Sequence, residues 1–359
     1  MSARGEEIAM DEFATTIAQW RRDGARMALA TVINVEGSAP RDEGAKMLIA
    51  HDGRIAGSVS GGCVESAVAQ AAMDVIETGK PAIARFGIDK AMIWDVGLSC
   101  GGEIDVFIEP LPARLGQPSP TQAFAICTVV RGPARVGAKL FVDEDGKTEG
   151  TLGGDRLDAQ AKTEALRLLE AGQSRMLTID DHDVFVDAAL PKARLLIVGA
   201  VHIAEALCKI AALAGFSVTV IDPRPLLCNR ERFPDAAALV VDWPEDALAK
   251  LSFDDRTYVA VLAHDAKFDD PTLLRVLPTR ARYVGAIGSK KTQAARRERL
   301  AAAGIAREDI ERLHGPIGLD IGAQSPEEIA VAILAEMLAA KHHRSGSPLR
   351  VRIEQHIHA

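Results

Sequence analysis

The segment GAKMLIAHDGRIAGSVSGGCVESAVAQAAMDVIETGK (Gly44–Lys80) returns without a gap as GAKLFVDEDGKTEGTLGGDRLDAQAKTEALRLLEAGQ (Gly137–Gln173). About 10 of the 37 aligned positions are identical and most others pair like with like, the signature of a duplicated structural unit. Each copy reads as a strand, an Asp-Gly turn, a second strand and a helix closed by glycine. TVINV (Thr31–Val35) and TVVRG (Thr128–Gly132) supply a preceding strand to each copy. A chain built this way forms either two related α/β lobes or one sheet assembled from duplicated halves. The copies part at one place: Cys63 aligns with Arg156, and Ser60, Gly61 and Gly62 align with Gly153, Gly154 and Asp155. The scaffold does not need the cysteine to fold, because the sister unit lacks it, and Cys63 reads as functional.

After Pro191 short apolar runs alternate with helical stretches. ARLLIVGA (Ala193–Ala200), the amphipathic Ile203–Ala214 and SVTVID (Ser217–Asp222) make a strand–helix–strand unit. Further runs at Ala236–Val241, Tyr258–Leu262 and Tyr283–Ile287 alternate with helices such as Lys290–Ala303, the pattern of a doubly wound parallel sheet. SPEEIAVAILAEMLAA (Ser325–Ala340) opens with Ser at the N-cap, Pro at N1 and Glu at N3, a capping box. The expected fold is therefore α/β: an N-terminal domain over 1–190 with the internal duplication (44–80 and 137–173), then a Rossmann-like domain over 191–340. A loosely ordered tail, 341–359, carries His342, His343, His356 and His358 as incidental histidines.

The formal charge of −8 and a pI near 5.7, with no basic stripe, exclude a nucleic-acid binder. The densest basic cluster, Arg296–Arg299, includes Glu298 and reads as a solvated helix face. The N-terminal residues show no secretory signal, and no uncharged apolar run reaches the roughly 18 residues of a membrane span. Five cysteines at 63, 100, 127, 208 and 228, odd in number and without a CxxC pair, suit a cytoplasmic protein with thiols rather than a disulfide scaffold.

In SVSGGCVES (Ser58–Ser66) the strand ends near Ser60 and the helix begins near Cys63. Gly61 and Gly62 permit a tight turn with positive φ and close approach of a ligand to the backbone. Free N–H groups at the helix start form a small anion-binding concavity, and the helix dipole favours thiolate at Cys63. Such a thiol suits nucleophilic attack, sulfur carriage or ligation of a soft metal; the bland reading is a small cysteine packed under the turn. GLSCGGEIDVFIEP (Gly97–Pro110) sets Cys100 before Gly101 and Gly102, a near mirror image of the first motif, so two thiols are candidates for one pocket. Zinc would need two further ligands from distant residues. Arg41 and Lys46, in GSAPRDEGAK, are candidates for holding an anionic group, or ordinary solvated charges.

VGAVHIAEAL (Val198–Leu207) stands where a dinucleotide fingerprint would fall, with Gly199 and His202 in place but Val201 where the second glycine lets backbone approach a pyrophosphate. Asp222, ending the second strand, is placed for a ribose hydroxyl. His264 in AHDAKFDD reads as ligand or base, or as a turn residue. Gly288, Ser289 and Lys290 in GAIGSKKT make a phosphate-friendly helix start.

Together EGSAPRDEGAKML, GSVSGGCVE, GLSCGGEIDVFIEP, GFSVTVIDPRP, RFPDA, YVGAIGS and GPIGLDIGAQSPEEIAVAILAEML resemble the XdhC/CoxI family over Trp20 to Ala340. The resemblance implies a chaperone, enzyme-like in fold, that binds molybdenum cofactor of the molybdopterin type. It also implies sulfuration promoted with a cysteine desulfurase and delivery to an apo molybdenum hydroxylase of the xanthine dehydrogenase type. On that reading Cys63 is the principal cofactor-contacting thiol, meeting the sulfur or molybdenum side, and Cys100 supports it. Val201 departs from the GAGH more usual in the family. A homodimer is expected; nucleic acid and membrane are not. Two other readings remain: an NAD(P)-dependent oxidoreductase using the Rossmann half, against which Val201 counts, and a redox- or metal-sensing module using the two thiols.

Overall fold

The structure, a computed structural model, describes residues 11–87, 102–112 and 122–348. The chain divides into two compact units, Met1–Pro191 and Lys192–Ala359.

In the first unit α1 (Asp11–Arg22) precedes the first copy: β1 (Met27–Glu36), β2 (Lys46–Ala50), β3 (Ile55–Gly57), α2 (Glu65–Thr78), β4 (Ala82–Phe86) and β5 (Glu103–Pro110). The second copy follows as β6 (Phe124–Arg131), β7 (Lys139–Asp143), β8 (Thr148–Gly150), α3 (Asp155–Ala171), β9 (Arg175–Ile179) and β10 (His182–Ala189). Each copy closes its own five-stranded sheet in the same order, β3-β2-β1-β5-β4 and β8-β7-β6-β10-β9, so the duplication builds two sheets rather than one. The Asp-Gly turns match: the Ala50 N–H donates to the Arg54 carbonyl and the Asp143 N–H to that of Lys147, around Gly53 (φ 88°) and Gly146 (φ 77°).

Strand alternation sorts the side chains. Ala28, Ala30 and Val32 of β1 face Val68, Ala72 and Val75 of α2. Ala125, Cys127 and Val129 of β6 likewise face Ala161, Ala165 and Leu168 of α3. On the other sheet faces Ile33 and Phe107 meet Val130 and Phe185 in a buried cluster, giving layers in the order helix, sheet, sheet, helix. The two sheets also exchange ion pairs. Lys46 of the first copy lies 2.8 Å from Asp187 of the second, and Lys139 of the second lies 2.8 Å from Glu109 of the first. The lysines are repeat equivalents, and so are the acids, since Leu29 stands opposite Glu109 as Ile126 does opposite Asp187.

The second unit comprises β11 (Arg194–Val198), α4 (His202–Leu213), β12 (Ser217–Ile221), β13 (Ala238–Val240), α5 (Pro244–Ala249), β14 (Thr257–Val261) and α6 (Ala266–Val276). It continues with β15 (Tyr283–Ala286), α7 (Lys290–Ala302), α8 (Arg307–Glu311), β16 (Leu313–His314) and α9 (Pro326–Lys341). All neighbouring strands are parallel in the order β13-β12-β11-β14-β15-β16, with α4 and α9 on one face and α6, α7 and α8 on the other. The capping box on α9 is present in full.

One expectation is corrected. Arg296 is not on a solvated face but 1% exposed, 2.5 Å from the equally buried Asp269. Arg297 donates to the Ile310 and Leu313 carbonyls and Arg299 pairs with Asp270. A run of charges on a helix carries no label for its inward face, and the acids that receive these arginines lie on a different helix. Among the described residues no helix is long and apolar enough to cross a membrane.

Candidate functional site

Gly61 (φ 78°) and Gly62 (φ 117°) both lie in the left-handed half of backbone space, where a helix cannot propagate. Helix α2 therefore starts at Glu65, whereas α3 starts at Asp155, the repeat equivalent of Gly62. The difference lifts Cys63 out of the helix onto a separate turn, while its counterpart Arg156 lies within α3 and pairs with Asp180 at 3.0 Å. The Cys63 side chain is half-buried, resting on the edge of the core between α2 and the first sheet.

The turn is held by a carboxylate that the motif reading passed over. Glu65 Oε1 accepts from Ser58 Oγ (2.5 Å) and the Ser60 N–H (2.9 Å). Its Oε2 accepts from Ser60 Oγ (2.6 Å), the Gly62 N–H (2.9 Å) and the Val64 N–H (3.2 Å). The Cys63 and Val64 N–H groups donate to Ser60 Oγ at 3.0 Å, and the Gly61 N–H donates to Ser58 Oγ at 2.8 Å. The amides expected to stand open to an external anion are thus engaged from within, with Glu65 as the anion in the concavity. Burial works to raise the Glu65 pKa, but the Ser58 and Ser60 hydroxyls and the Ser60 and Gly62 amides outweigh it and hold it near 2, below the ordinary 4.5. The signal was in the repeat: Glu65 aligns with Asp158, which accepts the Leu152 N–H at 2.7 Å in the sister turn.

The loop after β1 and the start of β5 meet this turn. Pro40 lies 3.5 Å from where a Cβ on Gly61 would stand, and a Cβ on Gly102 would collide with the Ser38 carbonyl oxygen. Ser60, Gly61, Gly62, Cys63 and Gly102 are thereby gathered with the loop that carries the half-buried Arg41. Lys46 is not among them: it is 5% exposed on the opposite sheet face, pairing with Asp187 and donating to the Gly44 carbonyl. Cys100 and Gly101 lie outside the described residues.

In the second unit Gly199, His202, Asp222, His264, Gly288, Ser289 and Lys290 all follow the carboxyl ends of β11, β12, β14 and β15, one edge of the parallel sheet. Gly199 (φ 105°) is required there because a Cβ would stand 2.8 Å from the Ala263 nitrogen. Asp222 is fully buried, and each oxygen carries two hydrogen bonds: the Arg224 N–H and Nε on Oδ1, the Ala200 N–H and Arg224 Nη2 on Oδ2. A carboxylate so supplied has no lone pair left for a ribose hydroxyl. Burial raises its pKa, but Arg224 and the Ala200 amide bring it below the ordinary range. Val201 adopts extended geometry as N-cap of α4 without a side-chain cap. His264 is exposed at φ 58°, and Ser289 caps α7 by accepting the Thr292 N–H at 3.1 Å. Among the described residues no group of three His, Cys, Asp or Glu side chains is set to hold a metal ion.

The fold and site define an α/β protein in which a duplicated unit presenting one half-buried cysteine on a carboxylate-braced turn shares a chain with a Rossmann unit. Residues 20–87 and 119–180 match the XdhC and CoxI family, and residues 195–337 match the XdhC Rossmann domain. The chain belongs to the XdhC and CoxI family. It is 29% identical to a probable xanthine dehydrogenase subunit of Bacillus subtilis over 92% of this chain and 98% of that protein. With the molybdenum cofactor insertion chaperone PaoD of Escherichia coli it shares 28% identity over 89% of this chain and 85% of that one. A crystal structure described as a xanthine dehydrogenase from Bacillus halodurans superposes with a TM-score of 0.77 at 28% identity, covering 95% of this chain and 98% of that one.

Proposed function

We propose that this protein is a molybdenum-cofactor chaperone that serves the maturation of a xanthine dehydrogenase-type molybdenum hydroxylase, with Cys63 as the thiol that meets the cofactor. Family membership and the relatives' names support the role. The observation that carries the assignment to Cys63 is the departure of its turn from the sister copy: two glycines delay the helix and a dedicated carboxylate stiffens the loop beneath the sulfur. A thiol with soft-ligand character on a stiff, partly open turn suits the sulfur–molybdenum side of the cargo. The cargo's phosphate has no partner in the Gly62 and Val64 amides, which Glu65 occupies; a cation such as Arg41 on the adjoining loop is the better fit. A cysteine desulfurase as the sulfur source, an apo hydroxylase as recipient and a homodimer as the working form complete the reading.

Cys63→Ser and Cys63→Ala, purified from cells that make the cofactor, are expected to carry roughly tenfold less molybdenum and pterin, the scale on which a perturbed metal site loses affinity. Elemental analysis and fluorescence of the oxidised pterin give the reading. Unchanged loading, with undiminished activation of the hydroxylase, would remove Cys63 from the site.

A further inference from the structure

Helix α9 carries its charges at its ends. From Ile329 to Ala340 the one charged residue is Glu336, and that carboxylate is turned inward. Its Oε2 accepts the Tyr283 hydroxyl (2.5 Å) and the Gly318 N–H (2.9 Å), and Oε1 lies 3.2 Å from His314 Nδ1. Ala330, Ile333 and Met337 pack fully buried in the core between the helix and the sheet. The outward side is as apolar as the inward one: Val331, 51% exposed, is followed by the half-buried Ala335 and Leu338. Helix α4, packed beside α9, adds the half-buried Ile210 and the 89% exposed Leu213.

A helix with one side in water ordinarily carries polar side chains there, and a helix apolar all round is a covered one. The outward positions also keep a regular step. Glu328, Val331, Ala335, Leu338 and His342 follow one another at alternating intervals of three and four residues, the spacing of a seam along which two helices pack. Ala335, at the middle of that seam, lets a facing helix approach closely.

The ends of the seam narrow what covers it. Glu327 and Glu328 open α9, and Lys341 closes it, with Arg344 just beyond. A two-fold axis crossing α9 between Leu334 and Ala335 lays a second copy of the helix antiparallel on the first. That register sets Val331 opposite Leu338 of the second copy and Glu328 opposite its Lys341, and the same pairs recur on the other side of the axis. Acid meets base twice, apolar side chain meets apolar side chain twice, and the two helix dipoles oppose. A face acidic at one end, basic at the other and apolar between is its own complement under such a rotation. That property selects a second copy of this chain over an unrelated partner, for which the reversal of charge along the seam has no use.

We propose that the outward seam of α9, flanked by α4, is the surface through which two copies of this chain join about a two-fold axis. The inference rests on the homodimer of the proposed function, gives it a face, and does not depend on Cys63.

Sedimentation equilibrium of the full chain tests it. The parent is expected at twice the mass of one chain at micromolar concentration. Val331→Glu alone and Leu338→Lys alone are each expected to raise the dimer dissociation constant about a hundredfold, because each buries two uncompensated charges in the seam. The two substitutions together, which the axis sets against each other, are expected to recover at least about tenfold of that loss. Ala335→Arg, beside the axis, is expected to act like the single variants and serves if one of them unfolds, as circular dichroism reads. Cys63→Ser is expected to associate like the parent, so failure of this interface and failure of the cofactor assignment are separate results. A monomeric parent, folded single variants that stay dimeric, or a folded double variant no tighter than the singles would overturn the proposal. A monomeric parent whose Val331→Glu variant no longer activates its hydroxylase would overturn it too, and would give the face to that enzyme.

Discussion

Asp269→Ala is expected to cost the C-terminal unit about 3–5 kcal/mol, because it strands a buried arginine. Arg296 is 1% exposed and makes its shortest contact, 2.5 Å, with Asp269; the Ile287 carbonyl and Gln293 Oε1, to which it also donates, are neutral. Removing the acid leaves a buried guanidinium with two neutral acceptors and no compensating charge. Replacing both partners by apolar side chains, Asp269→Leu with Arg296→Met, is expected to return most of the loss, since two desolvation penalties vanish with the pair. Trp243 reports locally: its ring lies 5.4 Å from that of Phe268, beside Asp269. In a Trp20→Phe, Trp94→Phe background urea unfolding followed by its fluorescence measures this unit. A single variant within about 1 kcal/mol of the parent, or a double variant as unstable as the single, would show that the charges are not coupled in this way. Burial pushes the Asp269 carboxyl above its ordinary value despite Arg296. An acid raised in the folded state favours folding below its unfolded pKa and loses that contribution as pH rises through the folded value, so ionising Asp269 is itself a cost to folding, the one that the double replacement removes.

The duplication is legible in the sequence because its identities fall on backbone-determined positions: turn glycines 53 and 146, helix-closing glycines 79 and 172, and the paired lysines 46 and 139. The strand–helix alternation of the second unit is legible for a similar reason, since short apolar runs bounded by caps leave few foldings. Contacts between separate elements are another matter. Lys46 reads as an anion holder beside Cys63, yet strand alternation sends it to the opposite face, where Asp187 of the sister copy waits. No local pattern names a partner supplied by the other repeat. Asp222 is read correctly as a carboxylate at the end of a Rossmann strand, and Arg224, two residues on, consumes it.

Glu65→Gln tests whether the turn beneath Cys63 is held by charge. The carboxylate receives five donors, Ser58 Oγ, Ser60 Oγ and the N–H groups of Ser60, Gly62 and Val64, shared between its two oxygens. Glutamine keeps the shape but puts an NH2 group among donors whichever way it turns, so at least one oxygen's set loses its acceptor. With a folded pKa near 2 against the ordinary 4.5, the ionised side chain contributes about 3 kcal/mol at neutral pH. The sign follows from the depression: the contribution is full above about pH 4.5 and is lost as pH falls toward 2. Glu65→Gln is therefore expected to be less stable than the parent by about that amount at pH 7, the gap closing through this acidic window, as read by Trp20 in a Trp94→Phe, Trp243→Phe background. Asp158→Asn, at the equivalent sister turn where the acid accepts the Leu152 N–H, is expected to cost about 1 kcal/mol. On the proposed chaperone reading, cofactor loading is expected to fall with Glu65→Gln as is expected for Cys63→Ser, although the sulfur is untouched, because the glycine turn that presents it no longer has a fixed shape. Full loading together with parental stability at pH 7 would mean that Gly61 and Gly62 hold the turn by backbone geometry alone and that Glu65 is a passenger.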